Sequence, residues 1–212
     1  MKKAVLVNYN FDPKNWWINY GYEPQDVIIY DRSDDGIERQ FMGNVVKTAN
    51  IGNIDYDKLL YLVDNYDNLP VTFLWAKTNI WKYITPEEFD KVKDNKHFTP
   101  LLTQGHLCYT DEQGWVNYYE NEMYHERNNS WYLNTEHRPK YVESFNEWAK
   151  IHGLPQNLHY VPFAPGGNYI LTRETVHKYS RDYYENMASM LDWAVLPGES
   201  QLAERSYWLM WK

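Results

Sequence analysis

Short apolar runs broken by polar turns set the rhythm of the first third of the chain. Ala4-Val5-Leu6-Val7 is continuous and brief, the pattern of a buried strand, and it ends in the polar Asn8-Tyr9-Asn10. Val27-Ile28-Ile29-Tyr30 repeats the pattern and runs into the loop Asp31-Arg32-Ser33-Asp34-Asp35-Gly36. Val45-Val46-Lys47-Thr48 reads as a third strand and Val71-Thr72-Phe73-Leu74-Trp75 as a fourth. Between them, Asp12-Pro13 offers a cap and a first-turn proline for a helix over about Lys14 to Tyr20. Ile54, Leu59, Leu60, Leu62, Val63 and Tyr66 fit a second helix, imperfectly, and Asn68-Leu69-Pro70 stops it.

The later chain is less regular. Thr85-Pro86-Glu87-Glu88 is a strong helix start, with threonine as cap, proline in the first turn and glutamate three residues on. Residues 99–134 mix β-prone pieces (Leu101-Leu102, Trp115-Val116, Trp131-Tyr132) with polar connections and read as loops and short strands. A helix is predicted from Pro139 to His152, closed by Gly153, then a strand at Asn168-Tyr169-Ile170-Leu171. Thr172 caps a long helix from about Arg173 to Trp193, Pro197-Gly198 breaks the chain, and a last helix covers about Glu199 to Trp211.

Strands alternating with helices imply a mostly parallel sheet flanked by helices, an α/β fold in one domain spanning 1–212. Ligands of such sheets bind beyond the carboxyl ends of the strands. That rule places Tyr9, Asn10, Asp31, Arg32, Ser33 and Lys77 along one rim.

Composition changes this picture in three ways. With 21 Lys and Arg against 29 Asp and Glu, the net charge is −8, which disfavours nucleic acid as a partner. Ten Trp, 20 Tyr and 7 Phe make the chain unusually aromatic, which implies first an aromatic core and second a cleft suited to sugars or bases. Cys108 is the only cysteine, so no intramolecular disulfide can form. Together with the lack of a long apolar run, this gives a cytoplasmic expectation with no membrane partner.

Several motifs add detail. Asp31 to Asp35 lacks the ligand spacing of a calcium loop and reads as a solvated acidic turn. The seven histidines show no His-Glu-x-x-His pattern; His106, in Gln104-Gly105-His106, follows the Leu101-Leu102 run within reach of the rim, with a surface or structural histidine as the stronger reading. Neither a serine-hydrolase elbow nor a phosphate loop is present.

Ala49-Asn50-Ile51-Gly52, the turn Asn65-Tyr66-Asp67-Asn68-Leu69-Pro70 and the strand opening Val71-Thr72-Phe73 resemble a small, functionally unassigned family. Gly166-Gly167-Asn168-Tyr169-Ile170 and the helix piece Glu204-Arg205-Ser206-Tyr207-Trp208 extend the likeness over most of the chain outside residues 80–155. That family is similar to nucleotide-sugar glycosyltransferases of the GT-A type, a Rossmann-related fold. The resemblance implies a nucleotide-binding half over 1–80 and an acceptor and catalytic half over 81–212. In it Tyr9, Asn10, Asp31, Arg32 and Ser33 would hold the nucleotide. Gly166, Gly167, Asn168 and His106 would lie near donor sugar and acceptor, and Glu204 would be the catalytic base.

One departure matters. Enzymes of that type carry an Asp-x-Asp motif after the fourth strand to bind Mn²⁺ or Mg²⁺, whereas this chain has Trp75-Ala76-Lys77. Either Lys77 supplies the positive charge without a metal, or the site is degenerate and the protein a nucleotide- or carbohydrate-binding module. The expected partners are a nucleotide sugar and a hydroxyl acceptor: a glycan, a small or lipid-linked alcohol, or a hydroxylated DNA base.

Overall fold

The computed structural model describes residues 2–105, 117–120 and 123–212. His106 and Cys108 therefore lie outside the described residues. β1 (Ala4–Asn8) and β2 (Val27–Asp31) pair in parallel, with Val5 opposite Ile28 and Asn8 opposite Asp31. β3 (Asn44–Lys47) adds to β2, and the helix α1 (Asn53–Asp64) leads to β4 (Thr72–Lys77), which pairs with the other side of β1. α2 (Pro86–Val92) follows, capped by the Thr85 hydroxyl as the sequence predicts. Then come the short β5 (Thr99–Pro100), β6 (Tyr118–Glu120), β7 (Met123–Arg127), α3 (Phe145–Ile151) and β8 (Tyr160–Phe163). β9 (Tyr169–Thr172), α4 (Arg173–Val176), α5 (Arg181–Ser189) and α6 (Gly198–Trp211) complete the chain.

The main sheet runs β3-β2-β1-β4-β9-β5. Its first four strands are parallel, and β9 is antiparallel to both β4 and β5, so the sheet is mixed. A second, antiparallel sheet, β6-β7-β8, takes two strands from the 99–134 stretch read as loops and short strands and its third, β8, from beyond α3, where the sequence reading placed no strand.

Alternation along the central strands sends side chains to two cores. Val5, Val7, Phe73 and Trp75 face α1, α5 and α6, while Ala4, Leu6, Leu74 and Ala76 face Trp16, Trp17, Ile80 and Phe89. Much of the aromatic excess is spent here: Trp75, Tyr169, Tyr207 and Trp211 pack edge-to-face and stacked, and Trp16, Tyr20, Trp81 and Phe89 form a second group. No helix among the described residues is long and apolar enough to cross a membrane.

Three predicted helices come out shorter. After Asp12-Pro13 the backbone turns left-handed at Lys14 and Asn15, so only a 3-10 turn forms at Trp16–Tyr20. It is anchored by indole N–H groups donating to Thr78 O (2.7 Å) and Met42 O (2.8 Å). The helix expected from Pro139 starts only at Phe145, capped by Ser144, because the amides of Lys140 and Tyr141 donate instead to Glu199 Oε1. The long helix from Arg173 breaks after Val176 and restarts when Ser180 caps α5 through the Tyr183 amide.

A candidate active site at the carboxyl ends of the strands

The ends of β1, β2 and β4 form one edge, as expected, and a chain of hydrogen bonds ties them together. Asn8 Nδ2 donates to Asp31 Oδ1 (3.2 Å) and Ser33 Oγ (3.1 Å), and Asn8 Oδ1 accepts from the Thr78 hydroxyl. One residue back, the Lys77 amide donates to Asn168 Oδ1 at 2.8 Å. The fold thus gathers Asn10, Asp31, Ser33 and Lys77 of the expected rim along one edge and adds Asn8 and Thr78, with Asn168, implied only by the resemblance, joined through the Lys77 amide.

At the β1–β2 end, Tyr9 and Asn10 are exposed and Ser33 is half-buried. Asn10 exchanges hydrogen bonds with Asp34, Oδ1 of Asp34 accepting at 2.9 Å, while Asn50 Nδ2 donates to Asp34 Oδ2 at 2.7 Å. Burial works against the Asp31 charge, but Lys47, Ser33 and Asn8 together hold its carboxyl below the usual range. Arg32 is placed differently from its neighbours. It is buried beneath the rim, where its guanidinium donates to Ile51 O (2.6 Å) and Asn50 Oδ1 (3.3 Å) and stands 3.4 Å from Asp57 on α1. It shapes the rim from below.

Beside it opens a cleft of about 380 Å³, lined among others by Lys77, Tyr83, Gly166 and Glu204. Lys77 Nζ stands 3.7 Å from Glu204 Oε2 and 3.3 Å from the Tyr83 hydroxyl. Burial opposes the Lys77 charge, yet Tyr83, Glu204 and Asp55 outweigh it and hold the ammonium protonated. Gly166 and Gly167 both adopt positive φ, and a Cβ on Gly166 would stand 2.7 Å from the Tyr83 ring, so this turn needs glycine on both counts. Glu204 reaches the cleft from the middle of α6.

Under the floor lies a group that sequence reasoning missed. Asp55 accepts from the Tyr207 hydroxyl at 3.0 Å, and Lys58 donates to Gly167 O while lying 4.2 Å over the Trp75 ring. Both are fully buried. Desolvation raises the Asp55 carboxyl to about 6 and lowers the Lys58 ammonium to about 7, each resisted by the charge of the other. Asp55 Oδ2 and Asn168 Nδ2 are buried without a hydrogen-bond partner. The available signal was the imperfect apolar pattern of the Ile54 helix, whose irregular positions Asp55, Asp57 and Lys58 all turn inward.

The donor set does not suit the divalent metal that the resemblance implies. The carboxylates at the floor, Asp55 and Glu204, each face an ammonium group, Lys58 and Lys77, where Mn²⁺ or Mg²⁺ would need several free oxygens. Among the described residues no cluster of three or more His, Cys, Asp or Glu side chains is arranged to hold a metal.

Fold and site together define an α/β protein with a polar rim and an adjacent charged cleft at one strand-end edge. Comparison with known protein families, characterised proteins and solved structures gives no significant match.

Proposed function

We propose that this chain is a GT-A-like glycosyltransferase that moves a sugar from a nucleotide-sugar donor to a hydroxyl acceptor. The observation that carries the reading is the 3.7 Å pairing of Lys77 with Glu204 at the floor of a cleft beyond the carboxyl ends of parallel strands. At that distance the two groups attract without a direct hydrogen bond, so each keeps room for a substrate atom. Glu204 takes the proton of the acceptor hydroxyl, whose oxygen attacks the anomeric carbon. The bond from that carbon to the diphosphate breaks, and the leaving oxygen's negative charge develops against the Lys77 ammonium. Asn10, Ser33 and the exposed ring of Tyr9 line the nucleotide end, and Arg32 positions them through Asn50. The turn at Gly166 and Gly167, of which Gly166 lines the cleft, lies beside the donor sugar.

A thermal-shift screen against nucleotide sugars, with and without Mn²⁺, tests the reading, because a ligand of the native state raises the melting temperature with its saturation. Stabilisation by at least one nucleotide sugar, with donor turnover that Glu204→Gln abolishes, is expected. No stabilisation by any of them overturns the reading. Stabilisation without turnover on any acceptor replaces it with a nucleotide- or carbohydrate-binding module.

A further inference from the structure

The wall of the cleft facing away from the rim has no part in the steps above, and its make-up is distinctive. Trp131, 46% exposed, lines it together with the buried Tyr132, Tyr124 and Phe163. The Trp131 ring meets Tyr132 edge-to-face, centroids 6.0 Å apart at 77°. Tyr132 is itself backed by the Arg205 guanidinium, 3.6 Å from its ring centre, and Arg205 is fixed by two bonds to Glu126 at 2.6 and 3.0 Å. We propose that this wall is a carbohydrate subsite, in which a sugar ring of the acceptor stacks on Trp131.

Four observations select a sugar over the other hydroxyl compounds. A half-exposed indole held edge-to-face against a fixed ring suits the apolar face of a pyranose. Asn134, Glu136, His137 and Gln201 share the lining, and they offer donors and acceptors for ring hydroxyls. Of the lysine and arginine among the described lining residues, Arg205 is held by Glu126 and Lys77 is the group assigned above to the donor's diphosphate, while Glu136 adds a negative charge. A phosphate-bearing acceptor such as DNA or a lipid phosphate finds no further Lys or Arg among them. The volume, about 380 Å³, lies at the small end of ligand sites and accommodates one or two rings.

The wall is also held in place. Glu199 accepts from the amides of Lys140 and Tyr141, the Gly198 amide donates to Arg138 O at 2.9 Å, and a Cβ on Gly198 would stand 2.8 Å from His137 O. The 137–141 stretch that follows the wall is thus clamped to the first turn of α6, the helix that bears Glu204.

The word acceptor rests on the proposed transfer, but binding of a sugar at Trp131 does not, so the test reads binding alone. The full chain is titrated by calorimetry with neutral mono-, di- and trisaccharides, with single-stranded DNA carrying a hydroxymethylated base, and with short alkyl alcohols, in parallel with nucleotide sugars. At least one saccharide is expected to bind, Trp131→Ala to weaken it about tenfold, and Trp131→Phe to retain most of the affinity. Trp131 is half exposed, so the melting temperature and nucleotide-sugar binding of both variants should match the parent. Saccharide binding unaffected by Trp131→Ala, no saccharide binding at all, or binding of the DNA instead overturns the inference. Saccharide binding that depends on Trp131 in a protein blind to nucleotide sugars upholds the subsite and removes the transferase reading.

Discussion

The β1–β2 rim and the cleft floor beside β4 lie on the same edge of one sheet, yet they treat polar groups differently. On the rim, Asn8, Asn10, Ser33, Asp34 and Asn50 bond mainly to one another, and the charges buried beneath them are ion-paired, Asp31 with Lys47 and Arg32 with Asp57, although Arg32 Nη1 and Asp57 Oδ2 make no hydrogen bond. Under the cleft, Asp55 and Lys58 are buried with shifted ionisation, and Asp55 Oδ2 and Asn168 Nδ2 lack partners. Native proteins rarely leave buried polar atoms unpaired, and each costs roughly 1–3 kcal/mol. The exposed rim network, satisfied within itself, makes a preformed shape, while unpartnered atoms and shifted charges lying directly under a cleft mark a place where folding is not the governing demand.

The largest expected effect separates chemistry from scaffold. Glu204→Gln should lower sugar transfer by about 10²- to 10⁴-fold, as expected for loss of a positioned base, with a melting temperature close to the parent's. A matching loss of stability would make Glu204 a structural residue and erase the contrast. Arg32→Met should do the reverse, leaving the Asp57 carboxylate buried and unpaired and costing about 3–5 kcal/mol in urea unfolding. Lys77→Ala should weaken binding of a nucleoside diphosphate about tenfold in calorimetry, with EDTA changing neither variant nor parent.

The floor also predicts a pH signature. Lys58 is lowered in the folded state to about 7 from 10.5, chiefly by burial, so between those values the unfolded chain holds more protons. Stability should therefore rise with pH from about 7 towards 10, and Lys58→Met should flatten that slope in unfolding curves taken across the range. The smallest effect belongs to the rim, where Ser33→Ala, which removes the hydroxyl that bonds Asn8, the Asn10 amide and Asp31, should cost about 1 kcal/mol by the same unfolding measurement.

Much of the architecture was legible because it is written in short-range patterns. The runs beginning at Ala4, Val27 and Val71 are too apolar for anything but central strands, and the caps at Thr85 and Thr172 act locally. The rim followed from those strands by a rule of sheet topology. What sequence concealed depends on pairings across the chain. Asp55 and Lys58 look like surface residues of α1 until α6 and the 165–168 turn cover them, and Lys58 meets Gly167 across 109 positions. Arg32 reads as a ligand-facing loop residue, yet its guanidinium turns under the rim because Asp57, Ile51 and Asn50 await it there. The shortening of the helix at Pro139 depends on Glu199, some 58 residues later, taking the amides that a first turn would have presented.

Helix α6 carries Gly198 and Glu199 at the clamp on the 137–141 segment, Glu204 at the floor and Arg205 behind the aromatic wall. These functions sit on one rod with a rise of about 1.5 Å per residue, so the clamp and the wall support are roughly 9 Å apart along its axis. Inserting one residue between Ala203 and Glu204 would swing everything after it by about 100° and carry the carboxylate out of the cleft while leaving the clamp in place. Substitutions in the strap at 131–137, by contrast, alter what the cleft meets without touching that indexing. Under the proposed transfer, the strap sets what the cleft accepts while the helix alone sets where the Glu204 carboxylate stands.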